Sequence, residues 1–203
     1  MASAEPLIER LLQLRRCAIV GPHGSGKSSL LAFLREPLRV RFEDRLHWWR
    51  FPMEGPAAAP LASLWAALGS WSQADLLVVD GYEQLSTFRR IQLRRQARRQ
   101  RFALCVTCHR QPRGVASLYE TTPTLQTVRD LVTDLLVAHP DLQLDYDQRV
   151  RERWESLPHR ARGNVRELLF QLYDDFEQQR ATRGGWRPLA PAIASLKDPP
   201  FDR

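Results

Sequence analysis

The chain predicts an α/β fold, a three-layer α/β/α sandwich on a mainly parallel sheet with a small C-terminal helical lid. Short apolar runs bounded by turn residues alternate with amphipathic helical patterns as far as Pro140. Strands that alternate with helices pair in parallel and are covered on both faces, because each crossover helix must lie on the sheet. Beyond Pro140 the strand-like runs stop and two helical patterns remain. A glycine-rich segment also joins the first apolar run to the next helical pattern, the punctuation of a strand–loop–helix unit.

Taken in order, Leu7, Ile8, Leu11, Leu12 and Leu14 mark an N-terminal amphipathic helix that ends at Arg15 and Arg16. Cys17 to Val20 follows as a buried strand broken at Gly21, and a second helix begins near Gly26 and carries Leu30, Leu31 and Leu34 toward Pro37. Further strands are expected at Leu38 to Phe42 or Leu46 to Phe51, at Leu76 to Val79, at Phe102 to Thr107 and at Val115 to Tyr119. Between them, Leu61, Leu64, Trp65 and Leu68 lie at i, i+3, i+4 and i+7. Leu85, Phe88 and Ile91 open another helix, expected from about Gln84 to Arg101, and Leu125, Val128, Val132, Leu135 and Leu136 mark the next. Residues 1–140 then form the sheet domain. Residues 141–182 form the lid, with Tyr146, Val150, Trp154 and Leu157 on one helix and Val165, Leu168, Leu169, Leu172, Tyr173 and Phe176 on the second. Residues 183–203, with Gly184, Gly185 and the prolines from Pro188 to Pro200, read as a tail with little regular structure.

Composition removes several classes. A chain of 203 residues, 43% hydrophobic and 26% charged, is long and apolar enough for a core, which excludes general disorder and a small disulfide-stapled scaffold. The uncharged stretch Gly55 to Ala74 is interrupted by Pro56, Pro60 and Gly69 before about 18 apolar residues accumulate, so no membrane span is expected. The N-terminus carries Glu5, Glu9, Arg10, Arg15 and Arg16 in place of the apolar core of a signal peptide, and a cytoplasmic location is expected. Three cysteines, an odd number, fit free thiols in a reducing compartment. Cys105, Cys108 and His109 spell C-x-x-C-H, yet Cys105 lies inside an apolar strand, so haem attachment is set aside.

Gly21-Pro22-His23-Gly24-Ser25-Gly26-Lys27-Ser28 matches G-x-x-x-x-G-K-[ST] between a strand and a helix. In such a P-loop, backbone N–H groups turn inward around phosphate oxygens at the positive end of the following helix. Pro22 has no N–H, so the donors run from His23 to Ser28, with Ser29 next along the helix. Lys27 is expected to neutralise the β- and γ-phosphates of a bound nucleotide and Ser28 to hold Mg²⁺. Leu76-Leu77-Val78-Val79-Asp80 places a carboxylate at the end of a later strand, the expected second magnesium partner.

Together with Arg162-Gly163-Asn164-Val165-Arg166-Glu167-Leu168, these residues resemble the P-loop ATPases of the AAA+ class, most closely its bacterial transcription activators, in which G-N-V-R-E-L opens the last lid helix. The resemblance covers about residues 7 to 180. It implies ATP and Mg²⁺ as cofactors, slow hydrolysis coupled to lid movement, homo-oligomeric assembly and a sensor arginine at Arg166 that reaches the γ-phosphate. It also implies a polar sensor at the end of the strand Phe102 to Val106, for which Thr107 is first choice and His109 second. The chain departs from the family at three points. Gly81 stands where the family has a water-activating glutamate, leaving Glu83 or Glu54 for that role. The connection from Thr107 to Val115 is too short for the helix that carries an arginine finger, with Arg110 and Arg113 the nearby substitutes. The loop that grips sigma factor is missing from the sequence, so the transcription role does not carry over.

Residues 89–101 read RRIQLRRQARRQR, seven arginines without an acid, which equals the whole net charge of +7. Arg90, Arg94, Arg98 and Arg101 are expected to form an outward row with Arg95 and Arg99 alongside, while the apolar residues face the sheet. Such a face either is solvated or meets an acidic partner: nucleic acid, an acidic protein face or anionic lipid. No aromatic is interleaved within it, so base stacking has no support from the sequence. Two further readings stand beside the ATPase: a P-loop small-molecule kinase, and a non-hydrolysing nucleotide-dependent adaptor that docks through the arginine helix. A GTPase lacks its N-K-x-D string here.

Overall fold

The computed structural model describes residues 3–51, 58–137, 140–157 and 164–183. Five strands form one sheet: β1 (Arg16–Val20), β2 (Leu46–Arg50), β3 (Leu76–Asp80), β4 (Ala103–Cys108) and β5 (Ala116–Glu120). Their order is β2-β3-β4-β1-β5 and every pairing is parallel. Among the described residues seven helices accompany them: α1 (Glu5–Leu14), α2 (Lys27–Phe42), α3 (Ala58–Ala67), α4 (Thr87–Gln100), α5 (Leu125–Leu135), α6 (Pro140–Ser156) and α7 (Val165–Arg183). The fold is thus the α/β/α sandwich with a parallel sheet that the alternating pattern predicts.

The two-residue period of the strands divides the core into two layers. Cys17, Ile19, Leu76, Val78, Ala103 and Cys105 meet Ile8 and Leu11 of α1 and Leu31, Leu34, Leu38 and Phe42 of α2. Ala18, Leu77, Val79, Leu104, Val106 and Cys108 meet Leu64 of α3 and Leu93 and Ala97 of α4 on the other face. β3 and β4 are buried along their whole length, which is why they read as continuous apolar runs. All three cysteines are buried free thiols inside these strands. Burial pushes the Cys108 thiol up to about 12, which makes it inert packing.

Several expected boundaries move. Of the two candidate segments for the second strand, Leu46–Arg50 forms it, whereas Leu38 to Phe42 belongs to α2, which runs straight through Pro37. The reason is the apolar stripe Leu31, Leu34, Leu38 and Phe42, whose burial continues past the proline and outweighs one missing backbone hydrogen bond. The segment Tyr82–Gln84 is a separate single 3₁₀ turn, and α4 begins only at Thr87, with the Ser86 hydroxyl accepting from the Arg89 N–H at 3.3 Å. Phe88 and Ile91 are exposed, so it is Leu93 and Ala97 that seat this helix.

The chain divides into two compact units, Met1–Arg166 and Glu167–Arg203. Within the first, α5 and α6 pair through Arg129 and Asp147, whose Nε and Oδ1 lie 2.5 Å apart. The expected tail, residues 183–203, lies outside the described residues apart from Arg183 at the end of α7. No helix among the described residues is long and apolar enough to cross a membrane.

Leu104 is fully buried at the middle of the sheet. Leu104→Ala is expected to cost about 2–5 kcal/mol, read as a lower urea midpoint at unchanged slope.

Candidate nucleotide site

In an open parallel sheet, ligands gather at the carboxyl ends of the strands, where the chain turns to opposite sides. β1 lies between β4 and β5 here, and the loop that leaves it carries the motif. The Gly21 N–H donates to the Cys108 carbonyl at 3.1 Å and the Thr121 N–H to the Val20 carbonyl at 2.8 Å, so the loop root is fastened on both sides. The Ser25 and Thr121 hydroxyls meet at 2.6 Å. Gly24 has φ +70°, a left-handed turn that favours glycine, and the Asn164 side chain lies where a β-carbon on it would project.

Lys27 opens α2 and is 8% exposed. Its ammonium donates to the Gly21 carbonyl at 2.8 Å and the Pro22 carbonyl at 2.6 Å, folded back over the loop. Burial lowers its pKa from the ordinary lysine value, opposed by the Glu83 and Asp80 carboxylates. A partly desolvated cation held by carbonyl dipoles at the start of a helix is chemically suited to meet an anion. His23, Gly26, Ser28 and Ser29 are exposed around it, and Ser25 is partly buried.

Asp80 ends β3 at 7% exposure. Its Oδ1 accepts from the Ser28 hydroxyl at 3.2 Å, across a sequence separation of 52, and from the Thr107 hydroxyl at 2.7 Å. Its Oδ2 lies 3.9 Å from the Arg50 Nε at the end of β2. The fold therefore brings the two expected magnesium partners together. One hydroxyl and one carboxylate are hard oxygens, and Mg²⁺ completes its octahedron with phosphates and waters, so this donor set fits that ion. Thr107, the first choice for the polar sensor, lies against Asp80 at the end of β4. It is 1% exposed, and its hydroxyl both donates to Asp80 and accepts from the Gly81 N–H at 2.8 Å, which makes it the brace of that carboxylate.

Glu83 reaches the site from the 3₁₀ turn. Its Oε1 lies 3.1 Å from the His109 Nε2, its Oε2 is buried without a hydrogen-bond partner among the described residues, and its charge is the first among those acting on Lys27. Gly81 shows why no glutamate directly follows Asp80. Its φ is +79°, and a β-carbon there would run into the Phe51 carbonyl oxygen.

The other expected residues lie elsewhere. Glu54 falls outside the described residues, as do Arg162 and Gly163. Arg166 is exposed in the first turn of α7, and Arg110 and Arg113 are exposed in the connection from β4 to β5. Arg50 was not anticipated, since a charged residue closing an edge strand carries no sequence signal. Only the parallel register Arg50–Asp80 shows it.

The arginine helix also rearranges. Arg90 is turned inward and donates through Nε to the Leu85 carbonyl at 2.7 Å, and Arg94 donates to the Arg113 carbonyl at 3.2 Å. These two hold loops, so the expected outward row is broken, and Arg95, Arg98, Arg99 and Arg101 remain exposed. Arg89 lies over the Trp65 ring at 5.3 Å, and Trp65, Leu68, Gly69, Arg89, Gln92 and Gln96 line a groove of about 440 Å³.

No model of a protein family matches the chain, and no curated protein matches it. Among solved structures it is similar to a lysine-to-arginine mutant of RuvB from Thermotoga maritima, with a TM-score of 0.41 and 14% identity over 96% of this chain and 82% of that one. The chemistry of the site rests on this chain's own residues.

Gly81→Ala is expected to lower stability by about 1–3 kcal/mol through backbone strain and the Phe51 contact, measured by thermal unfolding.

Proposed function

We propose that the protein binds Mg-ATP at the loop Gly21 to Ser28 and hydrolyses it slowly, with Glu83 orienting the attacking water. The observation that supports this most is the meeting of Ser28 with Asp80 beside Lys27, three groups of the required chemistry from two separate elements. Bound magnesium supplies charge neutralisation on the β- and γ-phosphates. Ser28 and Asp80 hold it, Thr107 keeps Asp80 in place, and Lys27 exchanges its carbonyl partners for phosphate oxygens. The backbone N–H groups of His23 to Ser28 take up charge as the bond from the γ-phosphorus to its bridging oxygen breaks. Glu83 accepts the proton of the water whose oxygen bonds to phosphorus, and that proton passes to the departing phosphate.

The position of Glu83 favours hydrolysis over the adaptor that only binds. A kinase remains distinguishable by product, because phosphate release without an acceptor belongs to the ATPase. By the same reading, residues 141–182 act as a lid, Arg166 couples its position to the γ-phosphate, and the cytoplasm is the working compartment. Homo-oligomerisation belongs to this reading through the AAA+ resemblance.

One observation supports nucleic acid as the acidic partner. The aromatic that the arginine run lacks is supplied by α3: Trp65 lies beside Arg89 in the groove with Gln92 and Gln96, and its indole N–H has no partner among the described residues. Arginines for phosphates and a ring for bases are the parts of a single-strand platform.

Lys27→Ala is expected to abolish ATP binding in calorimetry, and Glu83→Gln to keep binding while kcat falls by about 10²–10⁴. ATP affinity should fall as pH rises, in a limb that begins below the ordinary lysine value of 10.5, because burial lowers the Lys27 pKa and the neutral amine no longer holds phosphate. Turnover unchanged in Glu83→Gln would remove that residue from the chemistry. Replacing Arg95, Arg98, Arg99 and Arg101 with glutamine should flatten the salt dependence of single-stranded DNA binding by a slope of about 3, and Trp65→Ala should weaken it by about 1–3 kcal/mol. If the unaltered protein ignores DNA at low salt, the nucleic-acid reading fails.

A further inference from the structure

A glutamate on a single 3₁₀ turn has three side-chain torsions to settle, and nothing in the turn itself settles them. A water-orienting carboxylate must nevertheless be held to within a fraction of an ångström. In this chain the restraint comes from the far side of the cleft. His109, in the first position after β4, places Nε2 3.1 Å from the Glu83 Oε1. The same imidazole meets the His23 ring of the phosphate loop edge-on, with centroids 6.2 Å apart and planes at 81°. The turn after β3, the end of β4 and the loop after β1 are joined through this one ring.

We propose that His109 is a positioning residue for ATP hydrolysis: by setting its Nε2 against the Glu83 Oε1 it aims the second carboxylate oxygen, and through His23 it ties that aim to the phosphate loop. The proposal rests on the reading of the site as an ATPase. The placement of Oε2 is the observation that calls for such a role, since one oxygen of Glu83 lies against His109 and the other is buried with no hydrogen-bond partner among the described residues. His109 also suits the task by its charge. Three groups face it, Glu83, Lys27 and His23; burial lowers its pKa, with Lys27 and His23 acting in the same direction and Glu83 opposing them. At neutral pH the ring is then uncharged, so its contact with the carboxylate leaves that negative charge intact. A lysine or arginine in its place would compete with the water for the negative charge.

The proposal separates His109 from the sensor role that its place at the strand end suggests. A sensor contacts the γ-phosphate, so its loss weakens binding; a residue that acts through Glu83 affects kcat alone. The test uses the full chain with a fluorescent ATP analogue for affinity, phosphate release for turnover and imidazole NMR for the contact itself. His109→Ala is expected to keep nucleotide affinity and KM within about twofold while kcat falls at least about tenfold, and His109→Gln, whose amide nitrogen offers a donor at a similar reach, to recover much of the loss. In Glu83→Gln the His109 ring should titrate at lower pH than in the unaltered protein, because the opposing carboxylate charge is gone.

Wild-type kcat in His109→Ala, equal loss of binding and turnover, no recovery in His109→Gln, or an unmoved His109 titration in Glu83→Gln would each overturn the proposal. An unaltered protein that binds ATP without turning it over overturns it while leaving nucleotide binding intact. An unaltered protein that binds no ATP overturns both.

Discussion

A carboxylate at the end of a strand covered on both faces must have its oxygens satisfied by fixed partners, and the site is organised around that requirement at Asp80. One oxygen takes two hydroxyls, from Ser28 in the phosphate loop and Thr107 on the neighbouring strand, while the other faces Arg50. The three contacts come from α2, β4 and β2, so the carboxylate records the relative positions of those elements. Thr107 is braced in turn against the Gly81 N–H, which fixes the start of the turn that carries Glu83. A shift of β3 against β4 by one residue would break all of these together and would also exchange the two core layers.

The loop and its lysine form the complementary half. Lys27 is buried against backbone carbonyls and two acids, an environment in which its charge is balanced at a distance but not by a close carboxylate. Such a cation is held ready for a stronger anion than the carbonyl dipoles it touches.

The arginine helix illustrates how one composition serves two purposes. Seven like charges in a row repel, yet Arg90 and Arg94 are absorbed by carbonyls of residues 85 and 113, and Arg89 by the face of Trp65. Arg94 in particular pins the short connection between β4 and β5 through the Arg113 carbonyl. What is left exposed is a smaller cluster on one stretch of the helix, beside a groove that has an aromatic wall.

Local pattern alone determined the α/β alternation, the parallel sheet, the phosphate loop and the carboxylate at the end of LLVVD, because each depends on residues near in sequence: a two-residue or helical period, glycines at tight turns, an apolar run long enough to be buried. The continuation of α2 through Pro37 was hidden, since a proline is a local veto and the burial that overrides it comes from the sheet. The exclusion of a side chain at Gly81 by the Phe51 carbonyl, the arrival of Glu83 and His109 at one pocket, the approach of Arg50 to Asp80 and the seating of Trp65 under Arg89 were decided by tertiary structure. They join strands and helices far apart in the chain, and such contacts follow from strand order and register, which no single stretch of sequence encodes.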